Sequence, residues 1–359
     1  MIPRVTATID LSAIRHNLAQ VRRHAPGSKV MAAIKADGYG HGAVAVARAL
    51  EEQADTFAVA CLEEALVLRE ARIRAPIALL EGVLSIEEAK LCLRHELQVV
   101  VNDHWQLAYL ESLPRGAKVS VWIKCDSGMH RLGFPLSDIP GLAQRIAARP
   151  EWEFRGWITH LACADEPDNP ATREQVAAFL QALGTLPGAR SIANSAGLLA
   201  WPETRTDWVR PGLMLYGASP LPGRSAVQLG LKPAMRLESR LIAVRDYPAG
   251  ARIGYGGSYR CESAMRVGVA SVGYADGYHR SLPVGTPVQV RGTPAALIGR
   301  VSMDMITLDL TQARAAVVGD AVLLWGGALP VEEIAARAGT VAYELLCGLT
   351  QRVRFVHQA

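Results

Sequence analysis

Eight short apolar runs, separated by stretches of helical spacing, occupy the first two thirds of this chain. They are Val30-Met-Ala-Ala-Ile-Lys35, Phe57-Ala-Val-Ala-Cys61, Ile77-Ala-Leu-Leu-Glu81, Leu97-Gln-Val-Val-Val-Asn102, Val119-Ser-Val-Trp-Ile-Lys124, Gly156-Trp-Ile-Thr-His160, Ser191-Ile-Ala-Asn-Ser195 and residues 208–216. Short continuous apolar runs suit strands buried on both faces, and such strands belong to parallel sheets. Ala/Leu/Glu/Arg stretches at 62–72, 85–95 and 172–183 supply the helices between them, and Ser85 followed by Glu88 reads as a capping box. The gap between the last two runs is short, and the helix there is the least well marked. Eight strand–helix units predict a (β/α)8 barrel, for which ~250 residues is typical. A doubly wound sheet has the same periodicity and stands as the alternative.

A single core stops growing at ~250–300 residues, so a chain of 359 residues is expected to hold a second domain. After about residue 230 the texture changes. Arg240-Leu-Ile-Ala-Val244, 265–273 and Pro287-Val-Gln-Val-Arg291 look like short strands with tight turns, and 331–338 like a helix. The expected division is a barrel over 1–230 and a mainly β domain over 231–359. The net charge of +4 and the absence of any run of five like charges speak against nucleic acid as a partner. No stretch approaches the ~18 apolar residues of a membrane span. The six cysteines show no C-x-x-C spacing, no Cys/His pattern suggests a metal, and the N-terminal residues have no apolar signal core. A cytoplasmic protein with reduced thiols is the simplest expectation.

Lys35, Glu81, Asn102, Lys124, His160, Ser195 and Arg210 stand at or just after the ends of the apolar runs. In a barrel those ends carry the active site. Strands also end simply where polarity begins, so no one of these residues decides the matter. Lys35 is one of only six lysines and runs into Ala36-Asp-Gly-Tyr-Gly-His-Gly42. Glycines there allow backbone to approach a ligand closely. A lysine beside apolar walls deprotonates readily, which suits a Schiff base. The segment is neither G-x-x-x-x-G-K-[ST] nor G-x-G-x-x-G, so phosphate-loop and dinucleotide readings are poorly supported. A lysine leaving a strand end for solvent is an equal reading on chemistry alone.

Ala33-Ile-Lys-Ala-Asp-Gly-Tyr-Gly-His-Gly42 resembles the cofactor-attachment segment of alanine racemases. Lys124-Cys-Asp-Ser-Gly-Met-His-Arg-Leu-Gly133 resembles the family's segment on the fifth strand, and Asn194-Ser195, Val209-Arg-Pro-Gly-Leu-Met-Leu-Tyr-Gly217, Gly254-Tyr-Gly256, Gly273-Tyr-Ala-Asp-Gly277, Gly299-Arg-Val-Ser-Met-Asp304 and Tyr343-Glu344 match further family segments, in family order. The resemblance implies a pyridoxal 5'-phosphate enzyme, an N-terminal (β/α)8 barrel with a C-terminal β domain, and a head-to-tail homodimer. Its reaction would interconvert L- and D-alanine, to supply D-alanine for peptidoglycan or to feed alanine catabolism.

By that resemblance Lys35 forms the internal aldimine and is one of two acid/base groups. Tyr255 of the partner subunit is the other, on the opposite face of the substrate carbon. A free tyrosine titrates near ~10, so it needs positive charge nearby. His160 matches the histidine that links this tyrosine to Arg210, and Arg210 matches the residue facing the pyridine nitrogen. Tyr39, Ser195, Gly212, Leu213 and Tyr343 match the phosphate ligands. Arg131 and Met303 of the partner subunit match the groups that hold the substrate carboxylate, and Tyr274 lines that pocket. Asp165, Arg280, Arg300 and Asp304 match the entrance corridor. Lys124 matches a lysine that is carbamylated in some members. The chain departs from the common pattern at Asp37-Gly38, where Asn-Ala is frequent, and at His130, where Gly or Asn is frequent. Three other readings stand beside this one: a racemase of another small amino acid such as serine, a decarboxylase of the same plan, and a non-catalytic cofactor carrier.

Overall fold

The computed structural model describes residues 3–359, in two compact units. One unit gathers residues 15–215 and 220–224, and the other gathers residues 3–14, 216–219 and 225–359.

The first unit is a closed parallel barrel. Its strands are Lys29–Ala33, Thr56–Val59, Ile77–Leu79, Leu97–Val101, Ser120–Asp126, Glu153–Ile158, Ala189–Ser191 and Trp208–Val209. Each pairs with the next, and Trp208 opposite Lys29 closes the ring. The eighth run was expected to extend to residue 216 but is a strand only to Val209. Pro211 has no N–H for the ladder, and the chain coils into a 3-10 turn over Leu213–Tyr216. The expected helices form as Leu62–Glu70, Ile86–Arg94 and Ala171–Leu183. Ser85 Oγ accepts from Glu88 N at 3.1 Å, and Glu88 Oε2 accepts from Leu84 N at 2.8 Å, so the box reaches one residue further back than usual. Between the last two strands lie the six-residue helix Ser195–Ala200 and a 3-10 turn over Pro202–Thr204.

The barrel is plugged by one side chain from every strand: Met31, Ala58, Ala78, Val100, Trp122, Ile158, Ala189 and Trp208. Trp122 and Trp208 meet edge to face with centroids 5.4 Å apart, which adds about 0.5–1.5 kcal/mol to their burial. Trp122 Nε1 donates to Gln98 Oε1 at 2.8 Å, so the buried indole is satisfied. Side chains alternate along a strand, so the residue two places after a plug residue is directed to the same interior. Two places after Trp122, Ile158 and Trp208 stand Lys124, His160 and Arg210.

In the second unit six antiparallel strands form a closed barrel: Met235–Tyr247, Met265–Ala270, Pro287–Val290, Thr293–Ile298, Ile306–Asp309 and Ala321–Trp325. Met235–Tyr247 closes it by pairing with both Met265–Ala270 and Ala321–Trp325, bending at two register shifts. The expected helix forms as Val331–Ala338. Thr6–Asp10 joins this sheet, antiparallel to Met235–Tyr247 and parallel to Arg354–Gln358. A division placing all residues before 230 in the first barrel therefore misplaces the N-terminal strand. Its burial alternates residue by residue, the mark of a sheet with one covered face, whereas Thr56–Val59 is buried throughout. No helix among the described residues is long and apolar enough to cross a membrane.

Candidate active site

Lys35 leaves the first barrel strand and enters a turn that runs left-handed. Ala36, Asp37, Gly38 and Tyr39 have φ of 51°, 50°, 64° and 53°. Each non-glycine residue in that region costs about 1–2 kcal/mol, so the turn must be held from outside. Glu64 holds it: its Oε1 accepts from Ala36 N at 2.6 Å and its Oε2 from Ala60 N at 2.7 Å. Asp37 Oδ1 accepts from Ala43 N at 2.7 Å, and Gly38 N donates to Ile34 O at 2.8 Å. The turn leaves Lys35 half-buried and Tyr39 buried.

Above the plug lies a cluster of cationic and neutral nitrogen groups. Arg210 is buried, and all its hydrogen bonds among the described residues go to neutral acceptors. Nη1 donates to Ser191 Oγ at 2.8 Å, and Nη2 donates to Thr159 O at 2.5 Å and Ile192 O at 3.2 Å. Nη2 also lies 3.4 Å from His160 Nδ1. Burial lowers the guanidinium to about 10, so it stays charged at neutral pH. Burial, then the charges of Arg210, Lys124, Arg131 and Lys35, hold the His160 imidazole well below its ordinary range. His160 is therefore neutral. With Nδ1 facing a donor, its proton belongs on Nε2. Burial and the charges of Arg210, Arg131 and Lys35 push Lys124 down to about 8, against an opposing pull from Asp126.

Beside this cluster lies a cradle of donors. Ser195 Oγ accepts from Gly212 N at 2.8 Å and from Met214 N at 3.3 Å. A Cβ on Gly212 would lie 2.5 Å from Tyr39 Oη, so only glycine lets the phenol reach this backbone. Three predicted phosphate ligands thus meet, although they are far apart in the chain. A phosphate needs several such donors, and the residues fit one. The lysine, the carboxylate-free buried guanidinium and the cradle together fit pyridoxal phosphate.

Arg131 is exposed at the end of a loop built on Asp126. Asp126 Oδ1 accepts from the N–H groups of Gly128, Met129 and His130, each at 3.0 Å, and Oδ2 lies 3.1 Å from His130 Nδ1. Burial would raise this carboxyl, but those N–H groups and the His130 ring lower it on balance. His130, with φ of 55°, is thus part of the turn that presents Arg131. Asp165 is exposed in the loop after the sixth barrel strand.

The other predicted residues lie in the second unit. Tyr255 is 69% exposed on a short turn between left-handed Gly254 and Gly256. Backbone at Gly254 packs against Gly299 and Arg300. Tyr274 and Met303 are exposed on two stitched loops, where Tyr274 N donates to Ser302 O at 3.0 Å and Ala275 N to Met303 O at 3.1 Å. Arg280 and Arg300 are exposed, Asp304 pairs with Arg352 at 2.6 Å, and Tyr343 is exposed on the helix Ala342–Cys347.

Sequence reasoning missed Glu64, Asp126, and the acceptors Ser191 and Thr159. Asp126 had a signal, since a carboxylate opening the run Ser127-Gly-Met-His130 can accept from the N–H groups that follow. Glu64 had none, because Ala36 lies 28 residues away.

Residues 9–220 match the family described as alanine racemase, N-terminal domain, and residues 234–357 match its C-terminal domain. The alanine racemase of Thioalkalivibrio sulfidiphilus (strain HL-EbGR7) is 51% identical over 353 residues, 97% of each chain. Among solved structures, biosynthetic alanine racemase from Pseudomonas aeruginosa is similar with a TM-score of 0.95 and 45% identity, over 100% of both chains. Alanine racemase from Bartonella henselae, solved with covalently bound pyridoxal phosphate, has a TM-score of 0.91 and 29% identity, over 99% of this chain and 100% of that one. Likeness of this order runs through the barrel, the β domain and nearly every residue between, and this chain belongs to the alanine racemase family.

Proposed function

We propose that this chain interconverts L- and D-alanine with two bases on pyridoxal 5'-phosphate, in the cytoplasm, as a homodimer whose active sites both subunits complete. The observation that carries it is buried Arg210, held by neutral acceptors beside neutral His160. When bound, the cofactor supplies an electron-accepting ring that makes the substrate Cα proton removable. Lys35 Nζ holds the cofactor and moves a proton on one face of Cα. The Oη of Tyr255 of the partner subunit moves a proton on the other face. His160 Nε2–H is oriented by Arg210 to hold that oxygen. Ser195 Oγ, Tyr39 Oη, Tyr343 Oη and the N–H groups of Gly212 and Leu213 bind the phosphate. Arg131 and the N–H of Met303 of the partner subunit hold the substrate carboxylate, and Tyr274 covers it. Asp165, Arg280, Arg300 and Asp304 line the entrance. Exposed Tyr255, Tyr274, Met303 and Met305 on the second unit support a surface that a second subunit covers.

The test uses purified protein with pyridoxal phosphate and L-alanine, following circular dichroism of the substrate. Decay to zero without pyruvate or ethylamine is the expected result, and a serine control sets the breadth. A persistent signal, or ethylamine in its place, would overturn the reading.

An amine brought to about 8 is partly neutral near pH 7.5 and can add carbon dioxide. The resulting carbamate would pair with Arg131. Protein equilibrated with 13C-bicarbonate is expected to show a carbamate carbonyl resonance that Lys124→Arg removes. A spectrum identical in the two proteins would reject the modification.

A further inference from the structure

Asp276 lies in the loop that bears Tyr274, and its carboxylate is 1% exposed. Oδ2 accepts from Gly273 N at 2.9 Å, which closes the turn. Oδ1 is shared by Arg4 Nη2 and Arg352 Nε, each at 3.2 Å. Arg352 then extends Nη2 to Asp304 Oδ1 at 2.6 Å. One arginine thus spans two carboxylates, one in each of the loops that carry Tyr274 and Met303. The segment before it grips the same turn, because Thr350 Oγ1 donates to Ala275 O at 2.8 Å and Thr350 N to Asp276 O at 3.3 Å.

The consequence lies in one peptide plane. Tyr274 N donates to Ser302 O, and that carbonyl shares its peptide group with the Met303 N–H. In a trans peptide the two groups point in opposite directions. Pinning Ser302 O towards the Tyr274 turn therefore aims the Met303 N–H away from it, out of the loop. Contact is close: a Cβ on Gly273 would lie 2.3 Å from both Ser302 O and Met303 O, so only glycine lets the two loops approach this far. Without Arg352 the outer edge of the Met303 loop loses its tie to Asp276. With it, ion pairs from Arg352 to Asp276 and Asp304 add to the two backbone hydrogen bonds between the loops, Tyr274 N to Ser302 O and Ala275 N to Met303 O.

From this we infer that Asp276 and Arg352 are positioning residues for substrate, aiming the Met303 N–H at the substrate carboxylate. The inference rests on the reading above that this N–H binds the carboxylate. Neither residue touches substrate. The pair acts on binding of the carboxylate and leaves the proton-transferring groups in place.

The test compares wild-type holoenzyme with Arg352→Ala, Arg352→Lys and Asp276→Asn. The kinetic constants for alanine are measured, together with inhibition by propionate, which offers the carboxylate without the amine. Arg352→Ala is expected to raise KM and the propionate inhibition constant by about 10-fold, the loss of one well-aimed bond to a charged group, with kcat changed less than threefold. Arg352→Lys, able to reach one carboxylate at a time, should fall between. Asp276→Asn should match Arg352→Ala if it folds, and Arg352, on the surface, carries the test if it does not. Equal loss in kcat with an unmoved propionate constant would overturn the inference. Met303→Pro, which deletes the N–H itself, separates the two readings. If it raises KM while the arginine variants do not, positioning fails alone. If it leaves KM unchanged, the carboxylate reading fails as well.

Discussion

Tyr255→Phe will lower racemisation by about 10²–10⁴-fold, the usual worth of one positioned acid/base group. The loss is chemical rather than structural. Within its own unit Tyr255 is 69% exposed on a glycine-flanked turn, so removing its Oη leaves the packing of that unit unchanged. The two enantiomers have equal free energy, so kcat/KM must fall equally in both directions. Proton exchange need not. On the proposed two-base reading Lys35 would still serve its own face of Cα, so in D2O the enantiomer presenting its hydrogen to Lys35 will exchange and keep its configuration. The other will exchange at the reduced rate. NMR of each alanine enantiomer in D2O reads this directly. Equal exchange of both would end the two-base reading, and undiminished racemisation would remove Tyr255 from the chemistry.

Arg210→Glu will cut racemisation by at least about 10²-fold, the scale of losing one preorganised charged donor, and will raise keto-acid formation relative to racemisation. Arginine neither accepts nor releases a proton near neutrality. If position 210 faces the cofactor's ring nitrogen, as proposed, the introduced carboxylate would favour a protonated ring, which is a stronger electron acceptor. The field of the cluster changes sign at the same point. Arg210 is one of the charges that depress both His160 and Lys124. A negative charge there raises both, moving Lys124 up from about 8 towards the usual ~10.4. His160 would then protonate in the accessible range. Removing the guanidinium also strands the Thr159 and Ile192 carbonyls, so Tm will fall. Titrating the His160 ring by NMR and measuring pyruvate against racemisation separates the chemistry from that fall. An unmoved imidazole and an unchanged product ratio would refute the account.

The barrel was legible because its signal is local. A strand buried on both faces must be apolar along its length, and the seven residues that plug the barrel from the first six strands and the eighth all fall inside predicted runs. The interior direction of Lys124, His160 and Arg210 follows from counting two places onward from Trp122, Ile158 and Trp208. The early end of the eighth strand was written in Pro211, whose missing N–H the apolar run concealed.

Sequence alone determined the alternation that builds the barrel, the polar residues that close its strands, and the glycines around Tyr39. Tertiary structure decided what those residues do to each other. Glu64 holds the left-handed turn after Lys35 from 28 residues away, and Ser191 and Thr159 receive the Arg210 guanidinium from 19 and 51 residues away. Arg4 reaches Asp276 across 272 residues, and Thr6–Asp10 pairs with the distant strands Met235–Tyr247 and Arg354–Gln358. Periodicity records which face of a strand or helix is buried. It carries no record of which distant donor meets which acceptor, because the path of the whole chain sets that geometry.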